Sequence, residues 1–129
     1  MKLKLTKNNG EDIGFANSVL ISSIITFNEF KKWLYYVIEY SEDTVPTYFF
    51  DILDIEEKFD YTLKIAQIVG FYDGGHINSI EEKALCGIGY IRFPEYKSDY
   101  VTKKDAIEAL SKLPYIEKRF RDMFPFIEW

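Results

Sequence analysis

Apolar residues recur along most of this chain at the spacing of an α-helix. The clearest run has apolar positions three or four residues apart, which are Phe27, Phe30, Leu34, Val37 and Ile38. Thr26 precedes this run and forms a capping box with Glu29, in which each side chain accepts from an otherwise unpaired backbone N–H. We therefore predict a helix that begins after Thr26. Trp33, Tyr36 and Tyr40 lie on an adjoining sector and predict burial on more than one side.

Shorter helices are predicted in the middle of the chain. Pro46 suits a first helical turn, where its missing N–H costs nothing, and a short helix is expected through residues 48–53. The next helical run contains Phe59 and Leu63 and ends at Gly70, the residue most tolerant of a left-handed cap. Residues 71–76 then form a loop.

A second capping box is predicted at residues 79–82 and opens another helix. The later part of this helix contains Gly87 and Gly89, each of which costs about 1 kcal/mol relative to alanine in a helix interior. Residues 86–93 are therefore open to a strand interpretation as well. We favour the helix, because glycine also allows close packing.

The two ends of the chain differ in predicted structure. Thr102 begins a further helix, Pro114 opens the last one, and the apolar residues 124–127 are expected to pack back onto the protein. At the N-terminus, residues 2–7 alternate as in a strand, residues 8–10 form a turn, and residues 14–25 return as a second strand. The predicted fold is mainly α, a single domain over residues 1–129 with five or six helices and a small N-terminal β element. An α+β arrangement is the alternative.

Composition narrows the functional classes. The 129 residues carry a net charge of −5, and 18% of them are aromatic. An acidic surface argues against binding nucleic acid, whose phosphates attract Lys and Arg, and it favours a basic partner. No apolar run has the length of a membrane span, and a lone cysteine fits a reducing compartment, so we expect a cytoplasmic protein without membrane contact.

Few residues are suited to catalysis. His76 is the only histidine, and Asp73 could orient it as a general base, but no serine or cysteine nucleophile pairs with it in the sequence. Cys86 lies among apolar residues and is expected to be a buried, inert thiol. We therefore predict no enzymatic activity, no metal site and no cofactor.

Five carboxylates lie within ten residues, at Asp51, Asp54, Glu56, Glu57 and Asp60. Such a cluster is typical of a solvated face, and it also suits a protein-binding acidic surface or, less readily, carboxylate catalysis. The spacing of a calcium-binding loop is missing.

Tyrosines and acidic residues also meet in residues 93–100, a proline-bounded loop. Tyr96 and Tyr100 either anchor an interface or fold inward onto the neighbouring helices, and both alternatives remain open. The residues predicted to contact a partner protein are Asp51, Asp54, Glu57, Tyr72, Asp73, His76, Tyr96, Asp99 and Tyr100.

Several segments resemble the small acidic immunity proteins of bacterial polymorphic-toxin systems, including those of contact-dependent growth inhibition. The resemblance lies in the layout and character of FKKWLYYVIEY, VPTYFFDIL, IVGFYDGG, GIGYIRFPEY and FPFIEW, which together cover about half of the chain. It implies a single-domain cytoplasmic protein that binds one cognate toxin domain, commonly a basic nuclease, and blocks its active site or its access to substrate.

Two other functions are consistent with the residues. A non-catalytic adaptor or subunit of a larger assembly would use the same aromatic and acidic surface. A hydrolase would use His76, Asp73 and the carboxylate cluster, and its turnover would be lost when His76 becomes alanine.

Overall fold

A computed structural model describes residues 1–129 and is mainly α-helical. Its eight helices are α1 (Glu11–Ile21), α2 (Phe27–Tyr40), α3 (Tyr48–Leu53), α4 (Lys58–Thr62), α5 (Ile65–Val69), α6 (Ser79–Arg92), α7 (Lys103–Lys112) and α8 (Pro114–Met123). The mainly α fold class is confirmed, with more and shorter helices than the predicted five or six.

The chain forms two compact units. The first unit comprises residues 1–21 and 26–76, and the second comprises residues 22–25 and 77–129. A single domain over the whole chain stays a prediction.

The predicted N-terminal β element is minor, and its second strand is wrong. Residues 14–25 were expected to form a strand, yet α1 covers most of them. The backbone N–H groups of Asp12 and Ile13 donate to the carbonyl of Lys4 at 3.1 and 3.3 Å, which satisfies donors at the start of the helix. Without a second strand, residues 2–7 make no sheet.

β structure at the N-terminus is reduced to one isolated antiparallel bridge between Thr6 and Asn9. The turn lies at residues 7–8 and not at the predicted 8–10, since Thr6 and Asn9 exchange backbone hydrogen bonds of 3.1 and 2.9 Å around Asn8, which adopts a φ of 65°. Asparagine tolerates this left-handed conformation better than most residues.

Helix α2 begins as predicted. The backbone N–H of Thr26 donates to Glu29 Oε1 at 2.8 Å, and the N–H of Glu29 donates to Thr26 Oγ1 at 3.1 Å. Both contacts of the capping box are therefore present, and the box fixes the first turn of the helix.

An aromatic cluster forms the core of the first unit. Phe30 and Trp33 of α2 have ring centroids 5.8 Å apart, and Trp33 lies 5.8 Å from Phe49 of α3. On its other side Phe30 lies 5.4 Å from Tyr61 of α4. All four side chains are fully buried, so three helices are joined through one set of rings.

The predicted run from Phe59 to Gly70 is two short helices. It is interrupted at residues 63–64 and ends at Gly70, where the φ of 94° and a hydrogen bond to the Ala66 carbonyl match the expected cap. The buried side chains are Tyr61, Ile65 and Val69. Phe59 and Leu63, which set the period in the sequence, are exposed.

Helix α6 begins one residue earlier than predicted, because Asn78 and Glu81 form its capping box. Their reciprocal hydrogen bonds are 3.0 and 2.9 Å, in place of the expected pair at residues 79 and 82. The strand interpretation of residues 86–93 is wrong, since α6 continues to Arg92.

Close packing explains why glycine is placed inside α6. A Cβ atom at Gly87 would lie 2.7 Å from the carbonyl oxygen of Ala106 in α7 and 3.1 Å from Leu110 Cβ. The two helices therefore approach as closely as the missing side chain allows.

We expect Gly87→Ala to lower the free energy of unfolding. Alanine gains about 1 kcal/mol of helix propensity, but forcing its methyl group against a backbone carbonyl costs about 2–3 kcal/mol, the upper part of the usual range because a backbone atom cannot rotate away, so we expect a net loss of about 1–2 kcal/mol. Urea denaturation measures it. Gly74→Ala is the matched control, because nothing lies within 4 Å of its Cβ position. Equal midpoints for Gly87→Ala and the unmodified chain would show that α6 and α7 are not closely packed.

The C-terminal predictions are confirmed. Thr102 caps α7 through its hydroxyl, which accepts from the Asp105 N–H at 3.2 Å, and Pro114 lies in the first turn of α8. Phe124 and Ile127 are buried, so the end of the chain packs back onto the second unit.

Candidate interaction surface

The nine residues predicted to bind a partner are divided between the two units. The first unit contains Asp51, Asp54, Glu57, Tyr72, Asp73 and His76. The second unit contains Tyr96, Asp99 and Tyr100.

The acidic cluster lies on and between α3 and α4. All five of its carboxylates are on exposed residues, which are Asp51, Asp54, Glu56, Glu57 and Asp60. None of these carboxylates forms a salt bridge or side-chain hydrogen bond with the rest of the chain, so their charges are available to a partner. No group of three or more His, Cys, Asp or Glu side chains in residues 1–129 is arranged so that it could hold a metal ion.

Helix α4 is held by one side chain and presents its opposite face. Tyr61 is fully buried, and its hydroxyl donates to Asn17 Oδ1 at 2.6 Å. Phe59 and Leu63 lie four residues apart, about 160–200° around the helix from Tyr61. Their exposed fractions are 71% and 79%. Two large apolar side chains therefore extend from a helix that also carries the exposed Asp60.

Sequence reasoning missed Phe59 and Leu63 as surface residues. The run contains two apolar stripes of equal spacing, one through Phe59 and Leu63 and the other through Tyr61, Ile65 and Val69. Only one stripe of a short helix can face the core. Both stripes consist of residue types that are usually buried, so the sequence alone does not show which one faces the core.

His76 lies between two carboxylates. Its Nδ1 is 3.2 Å from Glu11 Oε2, and its Nε2 is 3.4 Å from Asp73 Oδ2. The other oxygen of Asp73 accepts from the Gly75 N–H at 2.8 Å, and Lys4 Nζ lies 3.1 Å from Glu11 Oε1. The predicted contact between Asp73 and His76 is therefore present.

This arrangement suits a structural contact better than a general base. A base and its orienting carboxylate leave the second ring nitrogen facing the nucleophile or a water. Here each nitrogen of His76 faces a carboxylate instead. The cluster ties the loop of residues 71–76 to α1, and Tyr72 beside it is 69% exposed.

Tyr96 folds inward, which is one of the two alternatives left open by the sequence. Its hydroxyl donates to the Ser22 carbonyl at 2.8 Å, and its ring lies edge-on to Tyr90 with centroids 4.9 Å apart. The ring also fills the space beside Gly89, whose Cβ position is 2.6 Å from it. Burial raises the pKa of Tyr96, and the nearby Cys86 adds to this. Its contacts are those of a packing residue.

Tyr100 and Asp99 are exposed residues of the same loop. The Tyr100 hydroxyl donates to the Ser79 carbonyl at 3.3 Å, and Lys83 Nζ lies 5.9 Å from its ring centroid. These contacts orient the ring at the start of α6 and leave about half of it, 48%, accessible. Cys86 is buried, as predicted, with its thiol 3.9 Å from Ser98 Oγ.

The longest helices, α2 and α6, have 14 residues each, and no helix has the length and apolar character needed to cross a membrane.

No protein-family model matches the chain, and no curated protein or solved structure matches it.

Proposed function

We propose that this chain is an immunity protein that binds a cognate toxin domain in the cytoplasm and neutralises it. The toxin domain is basic, as in a nuclease, and the immunity protein covers its active site or its path to substrate. The observation that supports this most is a set of exposed residues in the first unit. These are the unpaired carboxylates of residues 51–60 and the large side chains of Phe59 and Leu63.

Electrostatics supply the specificity of this mechanism. A cleft that binds nucleic-acid phosphates is electropositive, and carboxylates of a protein inhibitor are attracted to the same cleft. Asp51, Asp54 and Glu57 are exposed, so they can approach such a cleft without first breaking salt bridges of their own. The net charge of −5 increases the rate of encounter with a basic partner.

Aromatic side chains would then hold the complex together. Tyr72 and Tyr100 each combine a large accessible ring with a hydroxyl, the combination favoured at interface hot spots. Tyr96 contributes to the complex only by stabilising the second unit, because its ring and hydroxyl already contact other residues of that unit.

An affinity capture tests the proposal. The tagged chain is used to purify its partners from its own host at moderate salt, and mass spectrometry identifies them and measures their stoichiometry. We expect one basic protein near a one-to-one ratio, and the isolated protein should be toxic to cells unless this chain is co-expressed. Capture of several subunits of an enzyme, or of a partner without toxicity, would replace immunity with the adaptor function.

Charge reversal and tyrosine truncation are expected to affect different rate constants. With the captured toxin domain, Asp51→Lys and Asp54→Lys should each lower the association rate about 3–10-fold at low salt, and the loss should shrink as salt rises. Tyr72→Ala and Tyr100→Ala should raise the dissociation rate about tenfold or more. Surface plasmon resonance measures both.

The matched control is Glu128→Lys, which makes the same charge change at an exposed residue near the C-terminus. An equal loss of association rate in this control would mean that overall charge, and not the α3–α4 carboxylates, steers the encounter. Unchanged kinetics in all four variants would place the interface elsewhere on the chain.

A further inference from the structure

Phe59 of α4 and Leu63, which follows the last residue of that helix, form a preformed ridge. The backbone N–H of Leu63 donates to the Phe59 carbonyl at 3.2 Å, so the two side chains are held one helical turn apart before any partner arrives. On the reverse face, the buried hydrogen bond between Tyr61 and Asn17 fixes how the helix lies on the first unit. The backbone of the ridge is therefore ordered before binding, and only its side-chain rotamers remain to be fixed when it is covered.

The burial pattern indicates that the ridge is not part of the folding core. Phe59 and Leu63 are the two most exposed of the large apolar side chains in the whole chain. Tyr61, on the reverse face, already packs against Phe27 and Phe30, with ring centroids 6.3 and 5.4 Å apart.

The charges beside the ridge limit what can cover it. Glu56, Glu57 and Asp60 flank Phe59 in sequence and are exposed, whereas Lys58 is partly buried and Lys64 is the one exposed cation of residues 50–64. A partner that buries the ridge therefore brings the residues at the edge of its contact surface close to several carboxylates. An acidic partner would be repelled, and a partner with Lys or Arg beside its apolar residues would be attracted.

We propose that this ridge docks an amphipathic basic helix of the partner protein. Side chains four residues apart form the ridges that pack into the grooves of a neighbouring helix, so the apolar stripe of the partner helix packs across Phe59 and Leu63. Its Lys and Arg residues reach Asp60 and Glu57. This inference rests on the proposed function, because it specifies which part of the acidic face anchors the toxin domain and what that domain presents.

A synthetic peptide tests the ridge independently of any toxin. The probe is a 14-residue helix of leucine and lysine only, about the length of an ordinary protein helix, with its leucines at positions i, i+3, i+4 and i+7. A leucine and glutamate peptide of the same pattern is the charge control. Fluorescence anisotropy measures binding to the full chain, and amide chemical shifts locate the contact.

We expect the leucine and lysine peptide to bind and to shift the amide signals of α4, whereas the glutamate peptide does not bind. Phe59→Ala and Leu63→Ala should each weaken binding at least about tenfold, as expected of hot-spot side chains. Tyr35→Ala is the matched control and should leave affinity unchanged, since it truncates another exposed ring, on α2. Thermal unfolding of each variant confirms that its fold is intact.

Three results would overturn the proposal. The peptide could fail to bind at millimolar concentration, or it could bind equally well to the Phe59→Ala and Leu63→Ala variants. Alternatively, sedimentation could show that the free chain is a dimer that these substitutions dissociate, in which case the ridge is covered by a second copy. The proposed function is judged separately, since failure to capture a toxin leaves the peptide result intact.

Discussion

Replacing Tyr61 with alanine should remove about 4 kcal/mol or more from the free energy of unfolding. Truncating a fully buried aromatic ring to alanine typically costs about 3–5 kcal/mol, through lost burial and the cavity left behind. Tyr61 packs on Phe27 and Phe30, so a small shift of these neighbouring rings cannot fill the cavity that its own ring would leave. The substitution also leaves the buried amide oxygen of Asn17 without its 2.6 Å donor, which adds about 1–3 kcal/mol.

This loss is a large part of the stability of an ordinary domain, which is about 5–15 kcal/mol. Urea denaturation followed by circular dichroism measures it. Tyr61→Phe separates the two contributions, because it keeps the ring and loses only the hydroxyl, and we expect it to cost about 1–2 kcal/mol. A loss below about 1 kcal/mol for Tyr61→Ala would mean that α4 is not anchored through this ring.

Helix starts were the part of the fold most accessible from sequence. The capping contacts of Thr26 with Glu29 and of Thr102 with Asp105 join residues three apart, so no knowledge of tertiary structure is needed to predict them. The one-residue error at α6 has the same origin. Asn78 and Ser79 are both good N-cap residues, each followed three residues later by glutamate, and sequence alone ranks them equally.

Helix α1 was missed because its signal is tertiary. Most of its residues are buried, including the polar Asn17, so it lacks the polar face that gives a surface helix its period. Asn17 belongs in this interior only because Tyr61, which is 44 residues away in sequence, donates to it. A local pattern contains no trace of that contact.

Only part of the candidate site could be predicted, for the same reason. The exposed carboxylates of α3 and α4 could be recognised from composition, and the contact between Asp73 and His76 from their proximity in the loop. Two features depend on long-range packing and could not be recognised from the sequence. One is the inward position of Tyr96, whose hydroxyl bonds to Ser22, and the other is the exposed ridge of Phe59 and Leu63.

Stability should fall steeply above about pH 10. Burial raises the pKa of Tyr48 and of Tyr61, and for Tyr61 the neighbouring Tyr48 adds to the increase. In the unfolded chain these tyrosines ionise at about pH 10, whereas in the folded protein they stay neutral at that pH. Below about pH 10 both states are protonated and their stabilising contribution is complete. As pH rises further, only the unfolded state loses protons, and the equilibrium moves toward it.

Each of the two tyrosines should lower the free energy of unfolding by about 1.4 kcal/mol per pH unit above about pH 10, or about 3 kcal/mol together at about pH 11. Tyr96, whose pKa is also raised, changes stability in the same direction. Urea denaturation at stepped pH measures the decline, and ultraviolet absorbance of tyrosinate shows whether these groups ionise only when the chain unfolds.

Tyr48→Phe is the control for this mechanism. It removes the hydrogen bond of 2.6 Å to the Leu5 carbonyl, so the variant starts less stable at neutral pH. Because phenylalanine does not ionise, the variant should nevertheless lose stability more slowly above about pH 10 than the unmodified chain. A parallel decline in both proteins, or complete tyrosine ionisation without unfolding, would show that these hydroxyls are accessible to solvent and that burial does not control the alkaline transition.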